Sequence, residues 1–276
     1  MTISNNPLRQ YFRRPAIYLK LPSGGAGYKP GVMDVPETGD LPVYPMTAID
    51  EITARTPDAL FNGTAMAELI KSCIPDIKDP WAVNSTDFDA ILVAIKAATN
   101  GNSMDITTIC PECNEVADYG VNLVGLLSGM KAADYNQALQ INELEIKFRP
   151  LTYREMNQAA LGQFDAQRTF ESLESEENMD VRNRKTQEAV KSITELTMKI
   201  LAQTIEYIKT PGAVVSEYDY LLDFLTNCDK NMYVSIRDYN AQLRESTQIK
   251  PLKLKCIHCQ HEYEQAFTLN TSDFFA

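Results

Sequence analysis

The sequence is poor in the residues that most often carry chemistry. Only two histidines and a single tryptophan occur in 276 residues. Both histidines, His258 and His261, lie beside a cysteine pair, so no Ser-His-Asp set can be assembled around them. The stretch "SGGAG" lacks the Lys-Ser/Thr that follows a phosphate-binding loop. Acidic pairs such as Asp87 and Asp89 read as helix-start residues, not as an acid–base couple. These gaps leave an enzyme reading without support. Long apolar runs are missing too: "AILVAI" at 90–95 ends at Lys96 and is far too short to cross a bilayer. The N-terminal "MTISNNPLRQYFRRP" has no apolar centre of the kind a secretory signal carries. Basic residues are outnumbered, 26 Lys and Arg against 37 Asp and Glu, for a formal net charge of −11. A surface of that sign repels nucleic-acid phosphates and anionic membranes. The expectation is a cytoplasmic protein that binds neither.

What the sequence does have is six cysteines, four of them in two Cys-x-x-Cys steps. Cys73 and Cys228 are isolated on helix-like stretches and read as small buried hydrophobes. Cys110 and Cys113 stand in "TTICPECNE", and Cys256 and Cys259 in "LKCIHCQHEY". Both steps share one local grammar: a short alternating strand, the cysteine pair with a polar turn, and a second strand leaving. Two residues between cysteines let the chain turn so that both sulfurs face one side. Two such knuckles complete a tetrahedral shell of four thiolates, which suits Zn2+. A shell of this kind is closed to water and substrate, so its role is structural. The long separation between the pairs is unusual for a compact ribbon, but closing a long loop costs entropy only logarithmically. Other readings stay open. His258 or His261 can replace one thiolate, a redox dithiol is suggested by Cys-Pro-x-Cys, and the pairs can be inert.

Along the chain, residues 1–40 read as an extended arm. Its first 33 residues carry Arg9, Arg13, Arg14, Lys20 and Lys29 with no acid, and they are rich in Pro and Gly. Such a segment has too little apolar periodicity for a core of its own. It is either solvated or ordered on a partner, with Arg9, Tyr11, Phe12, Arg13, Arg14 and Tyr18 as anchor residues. Residues 41–102 read as a helical domain, broken at Pro57 and at Asn62-Gly63, with Thr86 and Asp89 opening a helix that exits at Gly101. Trp81 reads as a packing anchor. Residues 103–150 and 250–276 form the β zinc-ribbon-like subdomain, which includes a hairpin turning at Asn142-Glu143. Residues 151–249 read as a helical insertion. It opens on a Thr152/Glu155 capping box, crosses an acidic solvated loop at 165–180, and continues into a helix over 185–209. That helix carries a stripe of Val190, Ile193, Leu196, Ile200, Leu201, Ile205 and Ile208, expected to face a core. The fold class is α+β, mainly helical with one small β subdomain.

Several phrases also read together in order: "NPLRQYFRRPAIYLKLPSGG", "LPVYPMTAIDEITARTPDALFNG", "IKSCIPDIKDPWAVNSTDFDAILVAIKAATNG" and "DITTICPECNE". This series resembles the baseplate hub protein family of T4-like contractile-tailed phages. The resemblance covers residues 7–125 and, more loosely, the C-terminal "CIHCQHEYEQAF". It implies a virion tail protein that meets other tail and baseplate proteins in multiple copies within a symmetric assembly, after residence in the host cytoplasm. It also admits an assembly chaperone absent from the mature virion. A zinc-ribbon nucleic-acid binder is the rival from another class. Lys250, Lys253 and Lys255 favour it, and Glu262, Glu264 and Asp273 oppose it.

Overall fold

The most apolar run of the sequence becomes the centre of the first of two units. The computed structural model describes residues 6–56, 62–174, 178–247 and 249–267. The first unit comprises Met1–Pro80, Asp87–Met130 and Ile249–Ala276, and the second comprises Trp81–Thr86 and Lys131–Gln248. The second is therefore an insertion in the sequence of the first.

In the first unit, helices α1 (Ala48–Ala54), α2 (Thr64–Cys73) and α3 (Ser85–Asn100) accompany a two-stranded antiparallel sheet of β1 (Ile17–Lys20) and β2 (Asp40–Val43). From Ala90 to Ile95 every residue of α3 is buried, so this helix is enclosed on all sides and not amphipathic. Leu41, Leu69, Ile70, Ile74, Ile77, Ile91, Leu92 and Ile95 are among the largest fully enclosed side chains. Helix α3 begins at Ser85, one residue before the expected Thr86, and ends as expected at Gly101, whose φ of +93° only glycine adopts freely. Helix α1 opens on a capping box in which Thr47 and Asp50 exchange hydrogen bonds. Burial works to raise the Asp50 carboxyl, but hydrogen bonds from Thr47 and Ser72 and the Arg13 charge hold it below its ordinary value.

The N-terminal segment is more ordered than a solvated arm. Leu19, Leu21 and Val32 are buried, and β1 pairs along β2 in register from Ile17↔Val43 to Lys20↔Asp40. The glycine-rich stretch is pinned by Asp87, a fully buried carboxylate at the start of α3. Asp87 accepts from the Ser23 amide at 2.9 Å, the Ser23 hydroxyl at 2.5 Å and the Tyr28 hydroxyl at 2.7 Å. These bonds satisfy a buried charge that would otherwise be costly, and they order a segment without an apolar core of its own.

The first unit also holds two hairpins. In one, β3 (Ser103–Ile109) pairs antiparallel with β4 (Val116–Asn122), which leads into the short helix α4 (Leu123–Gly129). The other consists of β9 (Leu252–Lys255) and β10 (Glu262–Gln265). In the second unit β5 (Ala138–Ile141), β6 (Leu144–Phe148), β7 (Ile205–Lys209) and β8 (Val214–Val215) form a four-stranded antiparallel sheet in that order. Helices α5 (Tyr153–Glu174), α6 (Met179–Gln203), α7 (Tyr218–Asn227) and α8 (Lys230–Thr247) complete it. Its core gathers Ile146, Phe148, Leu201, Ile205, Ile208, Leu221, Leu225, Ile236 and Leu243.

Several expectations shift here. The hairpin turning at Asn142, expected beside the cysteines, instead pairs with β7, burying Ile146 and Phe148 among residues of α6, α7 and α8. The stretch from Asp165 to Glu174 is helix and not loop: its Glu, Gln, Ala and Arg content favours helix, and Gln167 bonds Glu171 one turn on. The helix expected to reach residue 209 ends at Gln203, because Thr204, Ile205, Tyr207 and Ile208 favour extended backbone and β6 supplies an edge. Pro57, residues 175–177 of the expected acidic loop and residues 268–276 of the expected β subdomain lie outside the described residues. Elsewhere the expectation is met directly. Thr152 and Glu155 form their box, with Arg149 gripping Glu155 through both nitrogens at 3.0 and 2.6 Å, and Trp81 stacks on Tyr153 at 5.1 Å.

Asp87 gives this architecture its first test. Asp87→Ala removes the acceptor of three hydrogen bonds and should cost about 2–3 kcal/mol, a fall in melting temperature of roughly 4–12 °C. Thermal unfolding followed by circular dichroism checks this, and an unchanged midpoint would show that the glycine-rich segment is not held from α3.

Candidate metal centre

Each cysteine pair sits where a hairpin turns, and the two turns are built alike. In the first, the Cys110 amide donates to the Glu115 carbonyl at 3.0 Å and the Asn114 amide to the Cys110 carbonyl at 2.9 Å. In the second, the Cys256 amide donates to the His261 carbonyl at 2.8 Å and the Gln260 amide to the Cys256 carbonyl at 3.0 Å. The residue after each second cysteine takes a left-handed backbone, φ +58° at Asn114 and +64° at Gln260. That turn of the chain lets two sulfurs three positions apart face the same point. Asparagine tolerates it best among the non-glycine residues. The Asn after Cys113 is therefore a readable signal of this geometry in the sequence.

Side chains join the two hairpins near the turns. The Thr108 and Tyr263 hydroxyls lie 2.6 Å apart, and the Tyr119 hydroxyl donates to the Lys255 carbonyl at 3.2 Å. Neither pairing was foreseen, since nothing in the spacing of Thr108 and Tyr263 marks them as neighbours. The result is that all four sulfurs converge within 4.8 Å of one another. Cys110 to Cys259 and Cys113 to Cys256 are each 3.7 Å, and no disulfide forms among them. A tetrahedral ion with sulfur at about 2.3 Å requires sulfur–sulfur separations near 3.8 Å, so the cage has the size a thiolate-bound metal needs.

The electrostatics agree with a cation site. Cys256 is drawn down to about 6, first by the backbone amide of Cys259, with that of His258 adding, and the His258 amide lies 3.4 Å from its sulfur. The Glu115 amide pulls Cys113 down, but desolvation and the three neighbouring sulfurs outweigh it and push that thiol up to about 12. Four sulfurs this close cannot all ionise without a cation to offset their repulsion, and a bound metal makes thiolates of them all.

The four residues named from the sequence, Cys110, Cys113, Cys256 and Cys259, are thus brought together, and the cluster includes neither histidine. The His261 ring lies parallel to that of Tyr263, 6.5 Å away. Cys73 is buried with its thiol pushed up to about 12 by desolvation, as befits a packing residue. The anchor residues proposed in the arm divide into two groups. Arg9, Tyr11, Phe12, Arg14 and Tyr18 are exposed. Arg13 turns inward to the Pro45 carbonyl at 2.6 Å, the Ser72 carbonyl and hydroxyl at 2.8 Å, and Asp50 at 3.3 Å. Two exposed isoleucines of α1, Ile49 and Ile52, were not singled out from the sequence. Their three-residue spacing on a short helix is the signal that could have found them.

The cage predicts metal-dependent stability. Elemental analysis of the purified chain should give about one metal ion per molecule, lost on treatment with a strong chelator. Cys256→Ser should abolish binding and lower stability by several kcal/mol, on the order of 10 °C in melting temperature. A metal-free protein with an unchanged melting curve would refute the assignment.

No curated protein and no solved structure matches the chain. A family model described as "T4 bacteriophage base plate protein" matches residues 19–276. It spans both cysteine knuckles and the whole inserted unit. The chain belongs to the T4 bacteriophage base plate protein family.

Proposed function

We propose that this chain is a structural component of the baseplate hub of a contractile phage tail. In this reading it acts through protein–protein contacts, without catalysis, and holds a structural zinc ion in its four-cysteine cage. The observation that carries the hub reading is the apolar surface of the N-terminal region in a member of a baseplate family. Tyr11 is 77% exposed, Tyr18 68%, Ile49 76% and Ile52 69%, with Leu8 and Phe12 also open. Exposed aromatic and large aliphatic side chains favour an interaction surface, because a solvated surface gains nothing from them. Arg13 fixes the base of the segment while Arg9 and Arg14 stay at the surface, which suits a neighbour with acidic groups at the rim of an apolar groove.

Zinc follows from the donor set. Four thiolates in a closed shell favour an ion that prefers sulfur, accepts tetrahedral geometry and has no redox chemistry to manage. Four thiolates complete a tetrahedral shell, leaving no open coordination position for a substrate. Among the described residues, no helix is long and apolar enough to cross a membrane.

Two measurements test the proposal. Mass spectrometry of purified virions should find the chain in the particle, and its absence from finished particles would replace the structural role with that of an assembly factor. Tyr11→Ala with Phe12→Ala should leave the fold intact and weaken incorporation at least tenfold, about 1.4 kcal/mol in contact energy. Normal incorporation of the double variant would remove the arm from the interface. Zinc, and not iron, should be the ion recovered from the native protein.

A further inference from the structure

The β3–β4 hairpin has two unlike faces, because side chains alternate along each strand. Met104, Ile106, Thr108, Ala117, Tyr119 and Val121 share one face, and all are buried or half-buried. This face meets the second cysteine hairpin through the Thr108–Tyr263 pair and the Tyr119 bond to the Lys255 carbonyl. The other face is exposed at every position, from Ser103 to Ile109 on β3 and from Val116 to Asn122 on β4. At its end beside the cysteines, Ile109 and Val116 stand opposite each other in register, 62% and 56% exposed. Strand propensity alone does not call for them, since Thr107 on the same face is β-branched and polar.

Acids flank this aliphatic pair. On the same exposed face, Asp118 stands two residues along β4 from Val116, and Asp105 lies farther along β3. Glu112 and Glu115 occupy the turn at the other end and are also exposed. Among the described residues none of the four is in an ion pair. Asp118 accepts from the Thr107 hydroxyl at 2.6 Å, which leaves its charge in place. Residues 97–130 contain no Lys or Arg, the longest such stretch in the chain. The longest stretch without an acid is residues 1–33, where Arg9 and Arg14 bracket Tyr11 and Phe12. Those four side chains are exposed as well, so within one chain neither surface covers the other. The β9–β10 hairpin offers no comparable charge, because Lys253 opposes Glu264 and Lys255 opposes Glu262.

We propose that the N-terminal arm of one copy of the chain seats on the exposed β3–β4 face of another. Tyr11 and Phe12 cover Ile109 and Val116, and Arg9 and Arg14 meet the surrounding acids. Aromatic rings on β-branched side chains make favourable contacts, and opposite charge at the rim sets the register. The hairpin calls for a basic, aromatic partner with unpaired charge, and every copy of the chain exposes one. The two surfaces differ, so the contact is heterologous and can repeat from copy to copy around a ring. The inference names the partner of the N-terminal surface, so it rests on the protein–protein part of the hub reading.

Sedimentation velocity of the full-length, metal-replete chain tests it. The wild type should form assemblies larger than the 31.0 kDa monomer, and added salt should weaken them. Arg9→Glu with Arg14→Glu, and separately Asp105→Lys with Asp118→Lys, should each weaken self-association about tenfold, because each makes both surfaces alike in charge. An equimolar mixture of these two variants restores opposite charge at every contact and should recover the assemblies. Ile109→Thr with Val116→Thr keeps the β-branched backbone preference and should also weaken association, which keeps the test decisive if a charge variant unfolds. A monomeric wild type, an unrecovered mixture of folded variants, or undiminished assembly of the Thr variant would each overturn the proposal. A wild type that is monomeric yet present in purified virions would overturn this contact and leave the hub reading standing.

Discussion

The convergence of four sulfurs is the constraint on which the first unit depends. Cys110 and Cys113 belong to one hairpin and Cys256 and Cys259 to another, and the Lys131–Gln248 part of the second unit intervenes in sequence. Apart from the sulfurs, the described links between these hairpins include the Thr108–Tyr263 pair and the Tyr119–Lys255 bond. Each neutral hydrogen bond contributes only about 1 kcal/mol net. Four thiols at these distances are neutral partners at best and mutually repelling anions at worst. A bound cation would reverse that balance and tie the middle of the first unit to its end through the knuckles. The β9–β10 hairpin is short, so its placement depends on this tie more than on burial.

The cage was legible in the sequence because its information is local. Two Cys-x-x-Cys steps, each flanked by alternating strands, specify sulfur direction without knowledge of the rest of the chain. The same locality made the Thr152/Glu155 box, the Gly101 helix exit and the Asn142 turn readable. Each is settled by backbone conformation within a few residues. The fold class followed from the same signals. What pairs with the Asn142 hairpin did not, since Ile146 and Phe148 offer an apolar face that fits either the cysteine hairpins or β7. Only tertiary packing decides between them, and it selected β7.

The other differences have one cause: periodicity reports an apolar face but not what covers it. The α6 stripe reads as core along its entire length, yet only its C-terminal part is enclosed. In the N-terminal segment the opposite holds. There the sequence offers few apolar residues, and order comes from a polar anchor, Asp87, placed far along the chain. A buried carboxylate satisfied by one amide and two hydroxyls leaves no signature in composition, since its donors are ordinary Ser and Tyr side chains. Asp87 itself looked like a helix-start residue, and it is one as well. One side chain meets both needs because a carboxylate in the first turn of α3 is favoured by the helix dipole and also accepts from the glycine-rich stretch.

The position of the insertion explains why so long a separation between the cysteine pairs is tolerated. The second unit leaves the first after Met130 and returns at Ile249, seven residues before Cys256. Loop-closure entropy depends only logarithmically on the length of chain enclosed, and a folded insertion with its own core is shorter still in effective length. The insertion can therefore change in size or surface without altering the geometry of the cage, provided its ends stay near one another. The converse also holds. Bringing the sulfurs of residues 110 and 256 within a few ångströms closes the chain path of the first unit around the insertion. The N-terminal surface belongs to the unit that contains the cage, and the helical hairpin belongs to the unit with its own core.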